Sequence, residues 1–220
     1  SGEWVFILDA DAQLRNDTLI KLLNYAFRGK WSAVQLRKSV INGSQNLLTK
    51  CQSIEMVMDA FFQIGRLSSG GVSELRGNGQ LINKKILIES GSFNEDTVTD
   101  DLDLSVRLLL FGSEIGILWD PPVMEEAVET LPALFAQRQR WAEGGLQRFF
   151  DYGSDLIFGK INSLKKFDIF YFFILQYALP IISLSDLVSS LFFMRTPIYL
   201  PISITAVSYT HLRAHETQTH

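Results

Sequence analysis

The chain is short of the features that would place it in several large classes of protein. It has a single cysteine, Cys51, among 220 residues. No disulfide can form within the chain, which suits a reducing compartment. Twenty Lys and Arg stand against 24 Asp and Glu for a net charge of -4, and the basic residues form no dense run. That excludes a nucleic-acid binder, because phosphate-backbone binding needs clustered cations. Histidine is confined to a polar stretch, 208–220, that resembles translated vector sequence and is set aside as a tail foreign to the protein. There is no initiator Met, signal peptide, internal repeat, low-complexity tract or flexible linker. The chain opens instead on Trp4-Val5-Phe6-Ile7-Leu8, an apolar run with the look of a buried strand. A central strand at the very start creates the expectation of further sequence upstream, that is, of an N-terminally truncated domain.

What is present alternates between two periods. The opening strand runs into Asp9-Ala10-Asp11, and a helix follows with Asn16 or Asp17 as its cap and Leu19, Leu23, Ala26 and Phe27 on one face. Val34 to Arg37 reads as a strand, and Leu47, Cys51, Ile54, Met58 and Phe61 recur at helical spacing between Asn46 and Leu67. Glycine pairs then bracket a short strand near Gln80 to Asn83. A helix is expected from Leu102 to Phe111, and a strand from Ile115 to Trp119 that Asp120-Pro121-Pro122 stops. Thr130 caps a helix expected to reach Phe150. Such alternation predicts an α/β sheet domain.

Three groups of residues are candidates for chemistry. Asp9 and Asp11 follow a buried strand, where hard oxygen ligands suit Mg²⁺ or Mn²⁺ bridging a diphosphate. Two solvated turn aspartates would read the same way. Thr99-Asp100-Asp101-Leu102-Asp103 offers a carboxylate for general-base work, or only acids that favour a helix N-terminus. In Gln137-Arg138-Gln139-Arg140-Trp141, positions 137, 140 and 141 share a helix face. An arginine there can offset leaving-group charge and an indole can carry a sugar ring, but solvated arginines and a core Trp are an equal reading.

In order and combination, Asp-x-Asp, Thr-Asp-Asp and Gln-x-x-Arg-Trp followed by apolar helices resemble the family 2 glycosyltransferases of GT-A fold, which include cellulose, chitin and hyaluronan synthases. The resemblance covers residues 1 to 207. It implies a Rossmann-like mixed sheet, with Asp9 touching the nucleotide and Asp11 holding the metal. It further implies Asp101 as catalytic base, with Asp100 where the family more often has Glu. Gln137, Arg140 and Trp141 would bind diphosphate and acceptor sugar, and Gly79, in Gly77-Asn78-Gly79-Gln80, would line the donor-sugar pocket unless it is only a turn glycine. UDP as the donor base is implied by the family alone. The runs Glu74 to Gln80, Thr99 to Leu104 and Gln139 to Gly145 are similar to cyanobacterial-type members that glucosylate diacylglycerol. That favours a lipid acceptor over a glycan acceptor and a processive polysaccharide synthase. A catalytically silent membrane scaffold retaining the fold stands as the reading from another class, and a metal-dependent phosphohydrolase leaves the Gln-x-x-Arg-Trp helix unexplained.

Phe167 to Met194 is long enough to span a bilayer, although Pro180 and Asp186 interrupt it, and a second apolar run follows from Ile198 to Val207. Arg148, Lys160, Lys165 and Lys166 precede the first run, while Arg195 alone closely follows it. The excess of cations before the span predicts an integral membrane protein with a cytoplasmic catalytic part. The expected division is a partial catalytic domain over 1–155, an interfacial and transmembrane region over 156–207, and the foreign tail.

Overall fold

Strand β1 (Trp4–Ile7) alternates its side chains, so that Trp4 and Phe6 face one cluster and Val5 and Ile7 the other. The computed structural model describes residues 2–199 and 201. The remainder of the second apolar run and the tail at 208–220 lie outside the described residues. Strands β2 (Ala33–Val40), β3 (Gln80–Asn83) and β4 (Ile115–Glu125) complete one sheet in the order β1-β3-β2-β4. β3 is antiparallel to both neighbours, while β2 and β4 are parallel. The expected mixed α/β architecture is therefore present.

Both faces of the sheet are covered. Helix α1 (Thr18–Gly29) lays Leu22 and Ala26 against Val34, Leu36, Leu81 and Val123. On the other face α3 (Lys84–Glu89) and α4 (Asp100–Leu110) bring Leu87, Leu104 and Leu108 onto Ala33, Ile82 and Ile115. Each fully buried leucine contributes about 1.5–3 kcal/mol by leaving water. Asp17 is the N-cap residue of α1, but it makes no side-chain cap and binds Arg15 and Lys21 instead.

Four expectations need correction. β1, expected as a buried central strand, is an edge strand of the sheet described and is half-buried. Pro121 and Pro122 do not stop β4: while β2 advances from Leu36 to Lys38, β4 advances from Leu118 to Val123. The prolines sit in this bulge, where the ladder asks for no N–H. Helix α5 (Leu131–Phe158) runs past Phe150. In α2 (Leu47–Ser68) the apolar stripe is not the buried one, since Leu47 is 78% and Ile54 41% exposed. The buried face carries Thr49, Gln52, Gln63 and Arg66 beside Val57 and Ala60. Polar groups tolerate burial there because they are bonded: Gln52 donates to Val128 O, and Gln63 accepts the Glu74 N–H at 2.8 Å.

The chain divides into two compact units at Asn162–Ser163. The second contains α6 (Ser163–Phe173), a π-helical turn over Ile174–Ala178 and α7 (Leu179–Phe193). Together they make one continuous helix, Ser163–Phe193, long and apolar enough to cross a membrane. Pro180 does not break it, because the preceding wide turn absorbs the missing N–H. Asp186 has a structural use, accepting the Ile198 and Tyr199 N–H groups at 2.6 and 2.8 Å and pairing with Arg195.

The inverted face of α2 makes opposite demands at two positions. Leu47→Gln is expected to change stability by less than about 0.5 kcal/mol. Gln63→Leu, which strands the buried Glu74 N–H, should cost about 2 kcal/mol. Chemical denaturation in detergent measures both.

Candidate active site

β1, β2 and β4 run in one direction and β3 in the other, so their carboxyl ends lie along one sheet edge with the start of β3. Gathered there are Asp9-Ala10-Asp11, Gly77-Asn78-Gly79, Lys38 and Glu125. Open α/β sheets bind ligands at such an edge.

Asn78, fully buried, ties the edge together. Its Oδ1 accepts the Asp9 N–H at 3.2 Å, its Nδ2 donates to Glu125 at 3.1 Å, and its carbonyl accepts from Gln35 at 2.7 Å. Gln13 exchanges two backbone hydrogen bonds with Met124, which holds the turn after β1 on β4. The Asp11 carboxylate accepts the Glu126 N–H at 3.4 Å. Asp9 and Asp11 are both exposed, and neither takes part in an ion pair among the described residues. No group of three or more acidic, His or Cys residues gathers to hold a metal among the described residues. Two free carboxylates still fit Mg²⁺ or Mn²⁺, which bind through one or two carboxylates and take their other ligands from water and substrate phosphate.

Asp101 stands in the first turn of α4, half-buried. Its Oδ2 is 3.7 Å from where a Cβ on Gly77 would lie. Burial pushes its carboxyl above the usual range, opposed by Arg76, by its backbone bond and by Lys38, and assisted by Asp100. A desolvated carboxylate of this kind is a stronger base than a surface aspartate.

Helix α5 reaches the same edge because it fits closely onto α4. A Cβ at Gly144 would collide with Thr99, so glycine there sets the approach. Gln147 accepts the Val98 N–H at 3.1 Å, and Tyr152 donates to Asp103 at 2.7 Å. Arg138 lies 4.2 Å over the Trp141 ring and bonds Glu55 of α2 at 2.6 Å, and Lys38 is 5.9 Å from the same ring. Arg140 is exposed and takes part in no ion pair among the described residues. Gln137 Oε1 is buried without a hydrogen-bond partner among them.

Beneath the edge lies Glu74, 5% exposed, bonded to Arg148 at 2.7 Å and Arg76 at 2.9 Å, with Arg66 at 3.8 Å. Arg76 also bonds Asp59 through two nitrogens, each at 3.1 Å. Burial alone would raise the Glu74 carboxyl, but the three guanidinium groups outweigh it and hold the group well below its usual range.

The structure thus brings Asp9, Asp11, Gly79, Asp101, Gln137, Arg140 and Trp141 onto the same carboxyl-end edge of the sheet or onto the helices packed beside it. Gly79 has a packing reason to be glycine: its φ is +77°, and a Cβ would meet Val123 at 2.7 Å. Arg148, counted by sequence among the cations preceding the span, is used in a buried pair and leaves three lysines there. Lys38, Glu55 and Glu125 carry no local sequence signal for this edge, and Glu74, Arg76, Asn78 and Arg138 stand out in the sequence only as members of motif runs, without a role of their own. For Glu74 and Arg76 the local signal is two charges flanking an apolar residue directly before the glycine turn, within the run Glu74 to Gln80 already noted.

A mixed α/β sheet with paired aspartates and a desolvated carboxylate at its carboxyl edge is the arrangement of a GT-A-like glycosyltransferase. Residues 4–211 match the model for glycosyl transferase family group 2, and the chain belongs to that family. It is 42% identical to the beta-monoglucosyldiacylglycerol synthase of Synechocystis sp. over 95% of its length and 44% of that protein's. The synthase of the same name from a Nostoc strain is 41% identical, over 94% and 44% of the two chains. A glucomannan 4-beta-mannosyltransferase, described as probable, from Oryza sativa is 28% identical, over 91% of this chain and 35% of that protein. The chain spans less than half the length of these curated relatives. Among solved structures, the mannosyltransferase PcManGT from Pyrobaculum calidifontis in complex with GDP-Man and Mn²⁺ has the same fold, with a TM-score of 0.60 at 17% identity. That match covers 98% of this chain and 61% of the other.

Glu74→Gln leaves three arginines around a neutral group and is expected to cost about 3–5 kcal/mol. Because its folded value is depressed, the stabilisation from Glu74 is complete above about pH 4.3 and lost as pH falls further. Unfolding followed between pH 3 and 7 should therefore show a shallower acid limb in the variant.

Proposed function

We propose that the chain carries the catalytic part of an integral membrane, inverting glycosyltransferase that moves glucose from a UDP-sugar to a lipid acceptor such as diacylglycerol. The observation that carries the reading is Asp101: a desolvated carboxylate facing Gly77, at the same sheet edge as two carboxylates free of ion pairs and beside a helix that offers an unpaired guanidinium. The names of the relatives that are more than 40% identical support the acceptor and the sugar.

In this reading Asp101 takes the proton of the acceptor hydroxyl as its oxygen attacks the anomeric carbon. The bond from that carbon to the diphosphate oxygen breaks on the opposite face, the electron pair leaves with the diphosphate, and the configuration inverts. Arg140 and Gln137 offset the charge on the leaving group, and Trp141 carries a sugar or the acceptor headgroup. Asp9 meets the nucleotide. Asp11 would hold Mg²⁺ or Mn²⁺, which supplies charge neutralisation at the diphosphate. The Ser163–Phe193 helix would anchor the protein, and Lys160 before it with Lys165 and Lys166 in its first turn favour a cytoplasmic catalytic part.

A polysaccharide synthase is the second reading, favoured by the Gln-x-x-Arg-Trp pattern and the Oryza relative. A scaffold is disfavoured by the exposed state of Asp9, Asp11 and Arg140, none of which takes part in an ion pair among the described residues.

Full-length enzyme in membranes, given radiolabelled UDP-glucose, Mg²⁺ or Mn²⁺ and diacylglycerol, is expected to place label in organic-extractable lipid. Asp101→Asn should lower that transfer by at least about a thousandfold. Label in insoluble polymer would reverse the acceptor, and no transfer from any nucleotide sugar would leave the scaffold. The acid limb of the rate profile should lie above the ordinary aspartate value of about 3.9, because burial raises the Asp101 carboxyl.

A further inference from the structure

Lys38 has no part in the mechanism above, yet its surroundings are built for it. It stands near the end of β2, just past the bulge that brings it opposite Val123. Its side chain is 13% exposed, as is that of Glu125, whose carboxylate it meets at 3.0 Å. The same ammonium is 5.9 Å from the Trp141 ring, inside the range where a cation is drawn to an indole face. Glu125 is fixed from behind by Asn78, which also holds the Asp9 N–H. One line of contacts thus runs from the Asp9-Ala10-Asp11 turn through Asn78, Glu125 and Lys38 to Trp141.

We propose that Lys38 is a positioning residue of the transfer site, whose ammonium, held by Glu125, fixes the Trp141 ring on which the acceptor rests. A pair this shielded gives little net stability, because desolvation offsets the attraction. Its value is geometric. An acceptor platform displaced by an ångström costs far more in rate than the pair returns in stability. The charges acting on Asp101 are Arg76 from the loop before β3, Asp100 from its own helix and Lys38 from β2. Removing Lys38 leaves Glu125 without its cation and takes one of two positive charges from the base.

The proposal rests on the glycosyl-transfer reading for its kinetics, so the test has a second arm that needs no turnover. Lys38→Met, Lys38→Gln and Lys38→Arg are compared in the full-length enzyme in membranes, the Gln variant guarding against misfolding of the Met variant. Both neutral variants should lower kcat/KM for the lipid acceptor by about tenfold or more and leave the donor KM within about twofold. They should also move the acid limb of the rate profile to higher pH, since loss of a cation raises the carboxyl it faces. Lys38→Arg should restore most of both. Separately, the fluorescence due to Trp141, taken as the difference from Trp141→Phe, should become more quenchable by acrylamide in the neutral variants and not in Lys38→Arg. An unchanged acceptor KM and acid limb, or unchanged quenching, overturns the proposal. If wild type transfers no sugar, the functional reading fails by itself, and quenching alone decides the placement of Lys38.

Discussion

Three elements far apart in the chain are held in one place by a single buried carboxylate. Glu74 collects Arg66 from α2, Arg76 from its own loop and Arg148 from α5. Removing that many charges from water costs several kcal/mol each, and attraction in a low dielectric roughly offsets it. The cluster therefore adds less to stability than to uniqueness. An apolar core would let α5 slide against the sheet, whereas a bidentate Arg76 and a directed Arg148 accept only one arrangement. Arg76 is in turn the largest charge opposing the desolvation of Asp101, so the structural cluster and the candidate base share one guanidinium.

Glycines do the complementary work by letting backbones approach where the charges hold them. Gly144 brings α5 against Thr99 at the start of α4, and Gly79 lets the turn before β3 lie on Val123 and Leu36. Gly77 lies against Asp101, where a Cβ would come within 3.7 Å of its Oδ2, with a φ of +79° that other residues rarely adopt. The turn is thus shaped on one side by the packing of Gly79 and on the other by the contact of Gly77 with Asp101.

The candidate site residues were legible in the sequence because each lies in a short motif beside a recognisable strand or helix start: Asp11 after an apolar run, Asp101 after Thr99, and Arg140 and Trp141 on one helix. The contacts between motifs were not. Asn78 to Glu125, Lys38 to Trp141 and Glu74 to Arg148 each join positions 47 to 103 residues apart, and no local period encodes such a pairing. The α2 stripe misled for a different reason. Hydrophobic periodicity assumes that burial is apolar, and here Gln52, Gln63 and Arg66 are buried because bonding partners await them. β4 misled because a proline excludes only a ladder hydrogen bond, and a bulge removes the need for one.

Charged residues near the sheet edge fall into two sets, and the division bears on function. Glu74, Arg148, Asp103 and Arg107 are shielded and bonded, so the fold explains them. Asp9, Asp11 and Arg140 are exposed and without ion pairs among the described residues, and the fold would lose almost nothing without them. Asp101 lies between, desolvated enough to be a better base yet only half-buried. A protein that only needed to fold would neutralise that carboxyl or pair it tightly. A carboxyl left desolvated beside carboxylates outside any ion pair is what the proposed role in catalysis would use, and packing does not explain it.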